Sequence, residues 1–226
     1  MTQSLDKSHL ADQTVGAIAA SLPGATAVFR RNKMDFCCGG DQLLADAARQ
    51  KGVDLASLEA ELAALTVTDD GRAEEAESEA LIGHLLTRYH AVHRTELPEL
   101  AALARKVEAV HAGHPKAPAG MADLLQRMAG ELEVHMKKEE LILFPAMQRH
   151  AAGLGAPIAQ MRHDHVDHGD HLHLLEEMTD GFTPPAGACR SWQALYAGAA
   201  KLSDDLQQHI HLENNVLFPR FEMPAG

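Results

Sequence analysis

The sequence predicts an all-α protein, in which a small N-terminal helical domain precedes an up-down four-helix bundle. Three observations carry this prediction: apolar residues recur at spacings of three and four, no segment alternates with the period of a strand, and Gly/Pro breaks separate the helical segments. Residues 66–78 are almost without apolar side chains and carry a cluster of acids. We therefore expect the N-terminal domain at 1–65, an acidic linker at 66–78 and the bundle at 79–226.

The N-terminal domain is expected to consist of short helices, because its Ala- and Leu-rich segments are interrupted by glycine and proline. Asp41 is expected to cap a helix over 42–50 that ends at Gly52. Asp54 is expected to cap a second helix that runs to Leu65.

Composition limits the classes of function. The 226 residues are 46% hydrophobic and 23% charged, as in a globular protein, and the net charge of −12 argues against a nucleic-acid or anionic-membrane partner. No segment has the length of a transmembrane span, no apolar leader is evident, and three cysteines form no disulfide framework. We expect a cytoplasmic protein with cations as ligands. The sequence does not determine the oligomeric state, and a homodimer is an open alternative.

Four long amphipathic segments form the predicted bundle. They are separated by Gly/Pro breaks at 113–120, 153–157 and 181–187, and such short connections favour antiparallel neighbours. Two of the apolar stripes are interrupted by residues that can bind metals. The second helix carries Met128, Leu132, His135, Glu139, Ile142 and Ala146 on one stripe. The fourth carries Leu195, Ala199, Leu202, Leu206, His209, Glu213 and Val216.

The bundle resembles one helix hairpin used twice. The segment 132–145 resembles 206–219 at a constant offset of 74, and both contain His-xxx-Glu followed by Leu-Phe-Pro. A His and a Glu four residues apart lie on the same helix face and can reach one metal ion. The preceding helices should then hold equivalent ligands. His90 precedes His165 by 75 and His93 precedes His168 by the same offset, so periodicity leaves both pairs open.

A metal centre explains these residues better than isolated core histidines do. Two carboxylates inside an apolar bundle cost several kcal/mol each unless they are paired or bound to metal. No Lys or Arg lies between Leu206 and Phe218 to neutralise Glu213. Four imidazoles with two carboxylates leave coordination positions open, which favours a non-haem di-iron centre over a closed, mononuclear zinc site.

The adjacent Cys37 and Cys38 precede Gly39 and Gly40. A vicinal disulfide would be strained, and two thiols are too few for a four-thiolate cluster. We expect exposed thiols on a glycine turn, which could relay redox equivalents, hold iron during transfer or contact a damaged cluster.

These residues resemble a known family. The segment Arg88-Tyr89-His90, the two His-xxx-Glu motifs, His165 and the two Leu-Phe-Pro ends are similar to the hemerythrin-like domain. The segment Met34-Asp35-Phe36-Cys37-Cys38-Gly39-Gly40 resembles the short domain that precedes it in the bacterial iron-sulfur cluster repair (RIC, ScdA/YtfE) family. The combination is more specific than either motif.

The resemblance implies a ligand set of His90, His135, Glu139, His165, His209 and Glu213. Glu139 and Glu213 would bridge two oxygen-bridged iron ions, with His93 and His168 as alternative or outer ligands. Further histidines around His165 have no counterpart in this pattern.

The function that the resemblance implies is repair of iron-sulfur clusters damaged by nitrosative or oxidative stress, through the supply of iron. The partners would be damaged iron-sulfur proteins, together with nitric oxide and oxygen as small ligands. Two alternatives stay open: a di-iron oxidoreductase that reduces nitric oxide, and a sensor of gases or iron.

Overall fold

The computed structural model describes residues 7–65 and 76–222, and within these ranges the protein is helical. The described chain holds no strand beyond a single antiparallel bridge between Thr14 and Leu43. The all-α prediction is confirmed. The chain forms two compact units, Met1–Leu81 with Gln207–Gly226, and Ile82–Leu206. Within the described residues, no helix combines the length and apolarity that crossing a bilayer requires.

The domain boundaries at 1–65 and 79–226 stay a prediction, because the compact units reflect packing and group the end of the chain with its beginning. Most of the predicted linker, residues 66–75, lies outside the described residues.

The N-terminal segment begins with a 3-10 turn at Lys7–Asp12 and continues with four short helices. These are α1 (Val15–Ser21), α2 (Ala25–Arg31), α3 (Leu44–Lys51) and α4 (Leu55–Ala63). Each helix is too short to persist alone, so its stability comes from the buried faces that pack together.

The helix caps agree in part with the sequence. The Asp54 side chain accepts a hydrogen bond from the Ser57 amide (2.9 Å), and Gly52 ends α3 with a left-handed φ of 68°, as predicted. The prediction for Asp41 is wrong, because Leu43 is the N-cap residue of α3 and provides no side-chain cap. The Leu44 amide instead donates to the Gln13 carbonyl, so tertiary pairing sets where α3 begins.

Four long helical segments follow, and the connections between them overlap the Gly/Pro breaks of the sequence, although the third helix already begins at Gly155, inside the predicted break at 153–157. The first bundle helix comprises Ser78–His84, Leu85–His90 and Ala91–Val110; the second comprises Met121–Lys138, Glu139–Leu143 and Phe144–Gln148. The third is Gly155–Met178; the fourth comprises Arg190–His211, Leu212–Leu217 and Phe218–Arg220. The first packs along the second, and the second along the third.

Three of these helices contain a π-helical turn: Leu85–His90, Glu139–Leu143 and Leu212–Leu217. The Phe144 amide donates to the carbonyl of Glu139, five residues back, and the Phe218 amide donates likewise to Glu213. A proline follows each phenylalanine. Proline has no N–H for the usual bond four residues back, and its ring crowds that carbonyl, so the turn widens.

The π turn changes which residues of the second helix face the core. The sequence predicts Ile142 and Ala146 on the buried stripe, but Ile142 is 64% exposed and Ala146 is half-buried. Leu143 and Met147 are buried in their place. The prediction is wrong by one residue because the π turn inserts an extra residue, which a regular 3.6-residue period does not include.

Candidate metal centre

The Glu139 carboxylate occupies a fully buried position in the unit Ile82–Leu206. Its Oε2 lies 3.5 Å from Nε2 of His90, and its Oε1 lies 3.4 Å from Nε2 of His135. Among the described residues, neither oxygen accepts a hydrogen bond. Each oxygen thus points towards a different imidazole, the arrangement that a bridging carboxylate requires.

His165 completes this side of the cluster. Its Nε2 lies 3.1 Å from Nε2 of His135, and ligand atoms of His135, Glu139 and His165 all lie within 4.8 Å of one another. All three side chains are buried. Buried imidazoles and a carboxylate that converge in this way form a donor set that iron and zinc both accept.

An acidic partner orients His135 from outside. The Asp164 carboxylate lies 3.2 Å from Nδ1 of His135 and also accepts a hydrogen bond from Lys138 (2.7 Å). Hydrogen bonds from His135, Lys138 and Gln160 hold the pKa of Asp164 well below its ordinary value. An ionised carboxylate only accepts, so Nδ1 of His135 carries the proton and Nε2 presents its lone pair to the cluster.

His90 has the same arrangement. Its Nδ1 lies 2.8 Å from Oε1 of Glu140, and Arg94 contacts both oxygens of that carboxylate. Burial raises the pKa of Glu140, but hydrogen bonds from Arg94 and His90 outweigh burial and lower the pKa below its ordinary value. His90 therefore also turns Nε2 towards Glu139.

The second His-xxx-Glu pair belongs to the other compact unit. Nε2 of His209 lies 3.1 Å from Oε1 of Glu213, and both side chains are buried. The pair begins one turn before the π turn that contains Glu213, as His135 does before Glu139.

The remaining candidate histidines have other neighbours. His93 is buried with its ring 6.2 Å from that of Tyr89. His168 is buried and groups with Glu131 and His171. Burial, followed by the charges of His135 and His165, lowers the pKa of His168 to about 3.

The cysteine motif forms a tight loop in the first unit. Oδ1 of Asp35 accepts hydrogen bonds from the amides of Cys37 (3.0 Å) and Cys38 (2.9 Å). The two Sγ atoms are 3.6 Å apart, so no disulfide joins the two cysteines. The Gly40 carbonyl accepts from the Gly16 amide (2.8 Å), and a Cβ at Gly40 would lie 3.1 Å from the Gly16 Cα. Glycine at position 40 therefore permits the close approach of two backbones.

The expectation of two exposed thiols is wrong for Cys37, which is buried, while Cys38 is half-buried. The hydrogen bond between the two thiols, burial, and the charges of Cys38 and Asp35 raise the pKa of Cys37 well above its ordinary value. Cys37 is therefore a protonated thiol at neutral pH. Ligand atoms of Asp35, Cys37 and Cys38 lie within 4.8 Å of one another, so the loop could hold a metal ion once deprotonated.

Two kinds of supporting residue were missed in the sequence. Glu140 and Asp164 each lie next to a predicted ligand, and that adjacency was the available signal. Asn214 and Asn215 donate to the backbone carbonyls of Cys37 (2.9 Å) and Phe36 (3.0 Å), and no local pattern indicates those contacts.

Comparison with known proteins agrees with this geometry. Residues 81–221 match the family model described as Hemerythrin HHE cation binding domain, and residues 11–66 match the ScdA_N model, a domain of unknown function. The fold and its buried histidine–carboxylate clusters thus define a hemerythrin-type cation-binding protein.

Similar proteins over nearly the full length share one name, iron-sulfur cluster repair protein YtfE. The relative from Edwardsiella ictaluri is 45% identical over 92% of this chain and 96% of its own, and that from Citrobacter koseri is 46% identical over 92% and 96%. The relative from Dickeya chrysanthemi is 44% identical over 94% and 97%. The chain belongs to the family of these proteins.

Proposed function

We propose that this protein repairs damaged iron-sulfur clusters in the cytoplasm and that a di-iron centre is the source of the iron. The main support is structural: the buried Glu139 lies among three histidines and accepts no hydrogen bond from the described residues. In addition, the chain is similar over nearly its full length to proteins named for iron-sulfur cluster repair.

The proposed ligands are His90, His135, Glu139, His165, His209 and Glu213, with Glu139 and Glu213 as bridges. Two observations support a single centre. The His209–Glu213 pair repeats the His135–Glu139 pair in sequence and in its π turn, and the cation-binding family model spans all six positions. Bound iron would supply redox chemistry and exchangeable coordination positions.

The ligand set supports iron as a cargo. Imidazoles and carboxylates hold iron less firmly than thiolates do, so an acceptor with cysteine ligands can withdraw it. The outer carboxylates Asp164 and Glu140 fix the imidazoles in the orientation that receives the ion. In this proposal Cys37 and Cys38 take part in the transfer, supported by their proximity to Asp35 in one potential metal site.

A second candidate, reduction of nitric oxide, is favoured by one observation. A cavity of about 470 Å³ is lined by His135 as well as by surface residues of the second and third bundle helices. Such a cavity would give small molecules access to one of the proposed ligands. Catalytic consumption of nitric oxide by the reduced protein without any client would favour this candidate.

Iron tracing tests the proposal. The protein is loaded with isotope-labelled iron and mixed with a hydratase whose [4Fe-4S] cluster has been damaged by nitric oxide. We expect the client to regain activity and to acquire the label, and the Glu139→Gln variant, which holds less iron, to give less of both. Recovery of the client while the protein retains all of its label would contradict iron donation.

A further inference from the structure

The third bundle helix carries more histidines than the proposed di-iron centre uses. His163 and His173 are exposed, whereas His168 is 4% exposed and the side chain of His171 is 17% exposed. His168 and His171 are three residues apart and therefore lie on one face of the helix. Both face the second bundle helix, where Glu131 lies opposite them.

Glu131, His168 and His171 form a compact cluster within the unit Ile82–Leu206. One ligand atom of each lies within 4.8 Å of the other two, and Nδ1 of His171 lies 3.3 Å from Oε2 of Glu131. Nε2 of His168 is buried and has no hydrogen-bond partner among the described residues. A buried imidazole nitrogen without a hydrogen bond lowers the stability of the fold unless it binds a ligand.

The cluster adjoins the cavity of about 470 Å³, which Glu131 and His168 line together with His135, Asp164 and Asp167. Arg127 and Lys138 also line this cavity, and Lys138 is paired with Asp164 at 2.7 Å. Three carboxylates against two cations leave an acidic cavity, which favours a positively charged guest. The cavity connects Glu131, 45% exposed at its side chain, with the buried His135.

We propose that Glu131, His168 and His171 form a second divalent-cation site, separate from the di-iron ligands, which binds Fe²⁺ or a chemically similar ion. Two imidazoles and one carboxylate are a typical donor set for mononuclear Fe²⁺ with open positions. Atoms that ligate one such ion at about 2.1 Å lie at most about 4.2 Å apart, so small side-chain rotations complete the site.

Because this site adjoins the cavity that reaches His135, its role would be to bind iron on the way into or out of the main centre. That role rests on the proposed function, since it requires iron at the main centre. Binding of a cation to Glu131, His168 and His171 does not require iron at the main centre.

Cobalt binding to the iron-loaded, full-length protein tests the site. Co²⁺ is the probe because its visible absorption reports the ligand set. We expect about one Co²⁺ ion per chain beyond the bound iron, and at least a tenfold weaker affinity in Glu131→Gln and in His171→Asn. His173→Asn, which changes an exposed histidine on the same helix, is the matched control and should bind Co²⁺ as the unchanged protein does.

Absence of the additional Co²⁺, or Co²⁺ binding that neither variant weakens, would overturn the proposal and leave the cluster as an ion pair only. Iron is measured in the same samples to separate the two proposals. Protein that holds no iron but binds Co²⁺ through Glu131 and His171 would contradict the di-iron centre and support the second site.

Discussion

The two His-xxx-Glu turns are alike in sequence and differ in their surroundings. The π turn that begins at Glu139 has an outer face open to solvent, where Leu141 is 73% and Ile142 is 64% exposed. In the π turn that contains Glu213, Leu212, Asn214, Val216 and Leu217 are all buried. The turn at Glu139 is therefore exposed on its outer face (the bare turn), whereas the turn that contains Glu213 is buried on all of these positions (the covered turn).

The cover of the Glu213 turn is the cysteine loop. Asn214 and Asn215 donate to the carbonyls of Cys37 and Phe36, and the Phe36 ring packs edge-on against His211 at 5.5 Å. A Cβ at Gly16 of α1 would lie 2.7 Å from Oδ1 of Asn215, so α1 and this turn are in close contact. The duplicated hairpin thus has two similar His-xxx-Glu pairs, and the N-terminal segment places its thiols beside the turn that contains Glu213.

The largest expected effect concerns the two proposed bridging ligands. If bare and covered turns serve as equivalent halves of one centre, Glu139→Gln and Glu213→Gln should each lower the iron content from about two per chain to about one or less. Iron is measured by elemental analysis after anaerobic loading. Glu177→Gln changes an exposed glutamate of the third bundle helix and should keep the iron. Iron loss in only one of the two ligand variants would show that the halves are not equivalent.

Disturbing the cover alone should have a smaller effect. In Gly16→Ala the new methyl group would meet Oδ1 of Asn215 at 2.7 Å and the Gly40 carbonyl at 3.1 Å. We expect the free energy of unfolding to fall by about 1–3 kcal/mol, and the buried Cys37 to become more reactive towards iodoacetamide. Urea denaturation and mass spectrometry of the alkylated thiols measure the two effects.

Gly130→Ala is the matched control, because nothing lies within 4 Å of a Cβ at that position in the second bundle helix. That change should be neutral or stabilise by about 0.5–1 kcal/mol. Unchanged stability and thiol reactivity in Gly16→Ala would argue against a tight cover.

The smallest effect on stability is expected for the ion pairs of Asp205, which lies in the helix that precedes the covered turn. Arg88 donates to both oxygens of Asp205 (2.6 and 3.1 Å), and Lys201 donates to the same carboxylate (2.9 Å). Burial raises the pKa of Asp205, but hydrogen bonds from Arg88 and Lys201 outweigh burial and lower it. Asp205→Asn should lower the free energy of unfolding at neutral pH by about 1–2 kcal/mol.

The sign of the pH dependence follows from that lowered pKa. The charged carboxylate stabilises the fold above the ordinary aspartate pKa of about 3.9, and this contribution is lost as the pH falls through the still lower folded-state value. Urea denaturation of both proteins should therefore show a difference at neutral pH that shrinks below about pH 4. A difference that stays constant over this range would mean that the charge of Asp205 contributes nothing.

The sequence was sufficient for the helical class and for the segment breaks, because apolar periodicity and Gly/Pro breaks are local signals. The stripe beyond Glu139 was placed one residue too early, because a single π turn changes the register without changing composition. The duplication at an offset of 74 pointed to the buried His-xxx-Glu pairs, because the same motif occurs in both copies of the repeated segment.

Contacts between distant segments were beyond sequence reasoning. The buried Cys37 accepts a hydrogen bond at its carbonyl from Asn214, which lies 177 residues away along the chain. The link from Glu131 to His171 depends on how two helices pack, so neither residue had a local signal. The six-ligand assignment stays a prediction.

Iron stoichiometry with an optical spectrum tests the di-iron centre most directly. The purified protein is loaded with ferrous iron without oxygen, freed of excess metal, oxidised, and then measured by elemental analysis and visible absorption. We predict about two iron ions per chain and a ferric charge-transfer absorption that Glu139→Gln and Glu213→Gln each weaken. A single metal ion, or zinc in place of iron, would contradict the account.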